Sequence, residues 1–389
     1  MMAVYIKELL DNFRDRRVII NTLILGPLMG PVIFAVMISF MTRQATERME
    51  APLELPVVGA EHAPNLISFL ERQGVIITEA PDDPEAAVRQ EVEEVILRLG
   101  PDFGEAWEAG HPAPVELIAD LSLRYSGTTI TRVRGYLNAW SGQVSQLRLQ
   151  LRGVHPDLTR PINVQVTDLS TPESRGGMVL AFLPYFILIT VFMGSMHMAI
   201  DTTAGERERK SLEPLLINPL PRWQIMAGKL AATTSFALMT LALGLVAFVF
   251  AMSYLPVEDM DMALNLDLRV AAWAFLLCAP AALMAAALLT ILAAFAKSFR
   301  EAQSYMGLVI LVPMIPSFWI LIDPTRTETW MTMVPLLSQN VLILDLVRGE
   351  PMNLAWVGLS LATTGLAALV LAAIAGTLYN RPNLIFTSG

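Results

Sequence analysis

Six stretches without a single Asp, Glu, Lys or Arg constrain this chain more than any other feature: Val18–Met41, Gly177–Ile200, Leu230–Leu255, Val270–Ala296, Tyr305–Ile322 and Leu354–Leu378. Five run 24 to 27 residues and one has 18, where about 20 apolar residues cross the hydrocarbon core of a bilayer as a helix. In lipid a backbone must satisfy its own polar groups, which leaves helices or closed barrels, and unbroken apolar runs this long are not barrel strands. The chain reads as an α-helical polytopic membrane protein with six transmembrane helices. Composition agrees. Of 389 residues 54% are hydrophobic and 16% charged, against about 25% charged in a soluble domain. A disordered protein, a nucleic-acid binder and an ordinary soluble enzyme are excluded.

Charge sets the expected topology. Residues 1–17 form a charged stretch with apolar residues at helical spacing, read as a cytosolic amphipathic helix at the interface; the span after it is too long for a signal peptide. With the N-terminus inside, the cytosolic pieces are 1–17, 201–229, 297–304 and the tail 379–389. They carry 12 Lys and Arg, against 3 in the short outer pieces 256–269 and 323–353. That is the positive-inside asymmetry. Both termini are then cytosolic, as in a multi-pass protein of a bacterial-type plasma (inner) membrane. Residues 42–176 become one extracytoplasmic domain holding 12 Arg, no Lys and 20 Asp and Glu. LELPVVG, GVIIT, VEEVILRLG, PVELIADLS and INVQVTDL read as strands, while HAPNLISFLERQ, PDDPEAAVRQ and Tyr125–Leu151 read as helices. The alternation predicts a small α/β domain inserted between helices 1 and 2.

Little in the chain is suited to chemistry. Cys278 is the sole cysteine and His62, His111, His155 and His197 lack ligand spacing, so no metal site or cofactor is expected. No phosphate-loop motif occurs: Gly228-Lys229 runs into Leu230 with no strand before it. The spans hold no acidic or basic residue, which argues against an ion-coupled carrier. Their hydroxyls, among them Thr190, Ser195, Thr240, Ser317, Ser360 and Thr364, read as helix-packing groups, and Gly26, Pro27, Gly30 and Pro31 predict a kink in the first span. The acidic pairs Asp82-Asp83, Glu93-Glu94 and Asp102 with Glu105 read as solvated surface.

The informative stretch is 201–230, DTTAGERERKSLEPLLINPLPRWQIMAGKL, where the second span leaves the membrane. A dense charged turn precedes Leu212, Leu215 and Leu216 on one helical face, Pro219 and Pro221 break the chain, and Pro221 suits the first turn of a new helix. This is a short amphipathic helix on which a partner can push. Gly205, Glu206, Arg207, Glu208, Arg209, Leu212, Glu213, Leu215, Leu216, Pro219, Leu220, Arg222, Ile225, Gly228 and Lys229 together match a motif, and the chain here resembles the permease subunits of type-2 ABC exporters. Pro214 and Asn218 depart from it, since the family more often continues the helix and places Thr or Ser before the proline. The layout of interfacial helix, span, large outer domain and five further spans also fits, closest to the sodium-efflux and multidrug-type permeases. Within 323–353, MVPLLSQNVLILDLVRGEP fits the family's short helices between the last two spans.

The resemblance implies an ATP-driven exporter in which this chain forms half of the pathway. ATP and magnesium then belong to two separate ABC ATPase subunits, and a second permease copy or a homologous permease completes the pathway, in a lipid bilayer and without nucleic acid. The motif residues are expected to couple to the ATPase, with Glu206, Arg209 and Glu213 touching it and Leu212 and Leu216 packing the helix. The substrate is read as a small molecule or lipid, since Met- and Leu-rich spans offer an adaptable apolar cleft. Sodium is the alternative, because carbonyl oxygens alone can replace an ion's water. A reading from another class is a membrane-anchored sensor or scaffold with a ligand-binding outer domain.

Overall fold

The computed structural model describes residues 1–50, 52–120, 126–155, 157, 181–211, 221–254, 266–322 and 327–378. The chain divides into two units, Met1–Arg43 with Leu169–Gly389, and Gln44–Asp168. In the first, six helices are long and apolar enough to cross a membrane: Ile19–Gln44, Leu183–Glu208, Arg222–Ser253, Leu268–Phe295, Phe299–Ile320 and Leu354–Leu378. They are the first to sixth spans below. An amphipathic helix, Met2–Arg14, precedes them and buries Val4, Glu8 and Asn12, one residue per turn along one face.

Several helix ends differ from the sequence expectation. The first span opens as a π-helix over Ile19–Leu25 and continues as α-helix from Gly26. Pro27 has no N–H to give the carbonyl four residues before it, and the wide turns fall where that bond is missing, ahead of the expected kink. The second span runs on through a π-turn at Asp201–Gly205 to Glu208. The third begins at Arg222, capped by Pro221, well before the expected Leu230. The fifth is two helices, Phe299–Val309 and Met314–Ile322, because Pro313 cannot donate to the Val309 carbonyl. The strand candidate INVQVTDL, the tail 379–389 and residues 212–220 lie outside the described residues.

Spans two and three cross at small residues. A Cβ on Gly194 would lie 2.6 Å from Thr240 Cβ, and one on Gly244 would lie 2.8 Å from Thr190 Cγ2. Close backbone approach is how helices associate where lipid supplies no hydrophobic driving force. The hydroxyls of Thr190, Ser195 and Thr240 return to the carbonyls of Phe186, Val191 and Phe236 at 2.8 to 3.0 Å, in keeping with a packing role. Phe34 of the first span is fully buried, with its ring 5.7 Å from that of Phe186 and 6.0 Å from that of Phe248.

Within 323–353, read from sequence as an outer loop with short helices, one helix is buried. Leu337–Val347 sits in the same core as the second, fourth and sixth spans. Gly349 closes it with φ +74°, a left-handed position that favours glycine. Gln339 organises its buried side. Its amide donates to Thr364 Oγ1 at 3.0 Å, Ser360 Oγ at 3.3 Å and the Leu277 carbonyl at 3.4 Å. Its carbonyl oxygen accepts from Leu336 N at 2.7 Å and Ser338 Oγ at 3.1 Å. Beside it Asn340 accepts from Ser317 Oγ at 2.6 Å. One side chain thus links the short helix to the fourth and sixth spans.

At the far end of that helix, burial pushes the Asp345 carboxyl up to about 6, although Thr327 Oγ1 donates to it at 2.8 Å. The folded state therefore holds this proton more tightly than the unfolded chain, and stability falls as pH rises from about 4 through about 6. Asp345→Asn is expected to flatten that slope and to raise the thermal midpoint near neutral pH. Midpoints of the detergent-solubilised protein across this range check it; an unchanged slope in the variant counts against the assignment.

The second unit is a small α/β fold. A four-stranded sheet has the order β2–β1–β3–β4, with β1 Leu53–Val58, β2 Val75–Glu79, β3 Val95–Leu99 and β4 Val115–Ala119. β1 is parallel to both neighbours, and β3 pairs antiparallel with β4. Helices Pro64–Arg72, Pro84–Arg89, Asp102–Glu108 and Ser126–Leu151 complete it. Two of the acidic pairs have local work. Asp83 caps Pro84–Arg89 by accepting from Ala86 N at 3.0 Å, and Glu94 accepts from Thr129 Oγ1 at 2.7 Å. Helix Asp102–Glu108, not expected from the sequence, carries Phe103 into the core.

Candidate functional site

The charged residues at the end of the second span are not strung along a solvated loop. The π-turn at Asp201–Gly205 widens the helix, and the hydroxyls of Thr202 and Thr203 fold back onto the Met198 and Ala199 carbonyls. Gly205 suits this place because a Cβ there would lie 3.1 Å from Asp201 Oδ1, which accepts from Arg209 Nη1 at 2.9 Å.

The next three residues each join a different helix. Glu206, 5% exposed, pairs with Lys229 of the third span, 1% exposed. The Lys229 ammonium also donates to the Thr202 carbonyl at 2.6 Å. Arg207 Nη1 donates to the Ala294 carbonyl of the fourth span at 3.3 Å. Glu208 accepts from Phe299 N at 2.7 Å, at the first turn of the fifth span, where a carboxylate meets the positive end of the helix dipole. His197, one turn before Asp201, packs its ring 5.8 Å from that of Phe299.

The N-terminal helix closes the junction. A Cβ on Gly228 would lie 2.9 Å from the Met1 carbonyl oxygen and 3.0 Å from Val4 Cβ, so glycine lets this helix lie on the third span. Tyr5 Oη sits 3.1 Å from Ser235 Oγ, and the rings of Phe13 and Phe236 are 5.1 Å apart. Lys7 reaches Glu206 at 3.5 Å and Glu8 at 3.1 Å. Glu8 is itself buried, and desolvation, reinforced by Glu206 and opposed by Lys229 and Lys7, raises its pKa above the ordinary value. Two carboxylates and two ammonium groups thus share one largely desolvated cluster, a balance that makes burying them tolerable.

Set against the sequence expectation, the structure brings Glu206 and Lys229 together and adds Lys7 and Glu8, which sequence reasoning passed over. The one available signal was Lys229 itself, a lysine at the head of an apolar run that needed a partner. Glu206 faces inward, so in this structure it supports the loop instead of offering a surface to a partner. Arg209, with 55% of its side chain exposed, and the exposed Lys210 and Ser211 remain at the surface. Arg222 opens the third span outside the cluster. Leu212, Glu213, Leu216 and Pro219 lie outside the described residues.

Six helices long and apolar enough to cross a membrane, joined by a charged junction where the second span ends, define a polytopic membrane protein. Residues 20–375 match the family described as ABC-2 family transporter protein, and the chain belongs to that family. It is similar to the ABC transporter permease protein NatB of Bacillus subtilis (strain 168), with 26% identity over 376 residues covering 95% of this chain and 94% of that protein. The chain is thus a permease subunit of an ABC transporter, of a kind that works with ABC ATPase subunits.

Proposed function

We propose that this chain forms half of an ATP-driven exporter in the plasma membrane. Both termini are cytosolic, the α/β unit lies outside, and two ATPase subunits bind ATP and magnesium for it. The observation that carries this reading is the junction at Glu206–Glu208. A push on the segment after Ser211 reaches four helices through three adjacent residues, since Glu206, Arg207 and Glu208 hold the third, fourth and fifth spans and Glu206 meets the N-terminal helix. Arg209 and Lys210 meet the ATPase, with Leu212, Glu213, Leu216 and Pro219 continuing the contact. Gly205, Gly228, Glu206 and Lys229 act as positioning residues.

A second copy or a homologous permease supplies the other half. The first span presents Ile24, Leu28, Val32, Val36 and Phe40, all exposed, as one stripe at four-residue spacing, and this stripe faces the partner permease. An apolar or amphipathic small molecule or lipid passes between the halves. Sodium efflux is the second reading, favoured by the π-helical opening of the first span, since π-turns leave carbonyls outside the regular ladder and recur at functional sites.

The test reconstitutes the permease with its ATPase in vesicles and follows ATP turnover and flux with candidate apolar compounds and with sodium. Arg209→Ala removes a half-exposed pair worth little to stability. It is expected to leave assembly intact while lowering transport per ATP several-fold. Wild-type coupling in that variant rejects the assignment of Arg209, and sodium-dependent turnover without any response to apolar compounds selects the second reading.

A further inference from the structure

The α/β unit contains a cavity of about 530 Å³ between helix Asp102–Glu108 and helix Ser126–Leu151. Its volume falls within the roughly 300–1,000 Å³ of small-molecule sites. The cavity is an open cleft, with Asn138, Ser141 and Ser145 of its wall exposed, so a ligand can enter it from solvent.

The walls say what fits. Trp107 and Trp140 stack with ring centroids 4.8 Å apart and planes 16° from parallel, and Phe103 stacks on Trp107 at 6.0 Å. Both tryptophans are only half-buried and line the cavity. The rings cover one another in part, and the accessible remainder of this aromatic stack offers an apolar wall for a planar group. Arg148 lies 4.4 Å above the Trp107 ring and donates to the Trp107 carbonyl at 2.8 Å. The ring and the carbonyl hold its guanidinium in place with most of its five donors still to be used.

The charge pattern is selective. Residues 42–176 hold 20 acidic side chains, yet among the described residues neither Asp nor Glu lines the cavity, where Arg148 and His111 are the ionisable groups. A cation would meet Arg148 already seated on the aromatic face, whereas a carboxylate would find a ready fork. We propose that this cavity binds a small amphipathic anion, with a planar apolar body against Trp107 and Trp140 and a carboxylate or similar group on Arg148. The site stands independently of the transport reading.

The probe is 2-naphthoate, titrated by calorimetry into the full-length permease in nanodiscs against empty nanodiscs. Octanoate tests the need for a flat body, and 2-naphthylmethylamine tests the sign of the charge. Saturable binding of naphthoate is expected, with both other compounds at least about tenfold weaker, and Arg148→Gln is expected to weaken naphthoate roughly tenfold, the effect of losing a charge-assisted hydrogen bond. Because Arg148 also braces Trp107, Ser145→Trp serves as a second variant. Ser145 is exposed at the cavity wall, so the bulky side chain occludes the site while the fold, checked by circular dichroism, persists. Failure of naphthoate to saturate the wild type overturns the proposal. So does equal binding of the amine or of octanoate, or full affinity in a folded Ser145→Trp protein.

Discussion

Glu206→Ala is expected to destabilise the permease by about 3–5 kcal/mol, the usual cost of leaving one partner of a buried ion pair uncompensated. Lys229 is 1% exposed, so without Glu206 its ammonium loses its ion pair and keeps the Thr202 carbonyl and the neighbouring Glu8 as relief. Lys229→Met is expected to cost a similar amount by stranding Glu206 beside Glu8, with Lys7 at 3.5 Å as partial relief. The double variant Glu206→Ala with Lys229→Met removes both charges. It is expected to be more stable than the sum of the single effects allows, as coupled neighbours are. Thermal midpoints of the four proteins in one detergent decide this. Single variants that unfold like the wild type show the pair to be solvated and the junction not to exist. Lost transport in Glu206→Ala therefore reflects a collapsed junction before it reflects a lost partner contact.

Gln339→Leu is the second large effect expected. The leucine keeps the volume but supplies no hydrogen bond to Leu336 N, Ser338, Ser360, Thr364 or the Leu277 carbonyl, and the side chains of Ser338, Ser360 and Thr364 are fully buried. A buried polar group left without its partner costs about 1–3 kcal/mol. Ser360 and Ser338 still hold each other at 2.8 Å, so a loss of about 2–4 kcal/mol is expected from the remainder. Leu336 adds to this, because its φ of +68° is unfavourable for leucine and is held by the bond to Gln339. Gln339→Glu, which keeps the acceptor for Leu336 N and the shape, is expected to separate the capping role from the links to the fourth and sixth spans. A Gln339→Leu protein with an unchanged thermal midpoint would show that the seam carries no weight.

What the sequence by itself determined is the part of the protein governed by local composition. Six charge-free runs had to become membrane helices, because lipid offers no other partner for the backbone. The strands LELPVVG, GVIIT, VEEVILRLG and PVELIADLS were legible from their own β-branched alternation, each appearing as a strand of the sheet. Tertiary structure decided everything that depends on a partner distant in the chain. Lys7 and Glu206 are 199 residues apart and Glu208 and Phe299 are 91 apart, and no periodicity reports such pairings. Helix ends at Glu208 and Arg222 were missed because a charge reads as the edge of an apolar run, whereas both helices run on into the charged stretch beside the span. Gln339 lay in a segment read as an outer loop with short helices, because 11 residues are too few to cross a bilayer, and nothing local marked that helix as buried. Only the surrounding spans make it a core helix, by supplying the hydrogen-bond partners that its amide cannot find in its own turn.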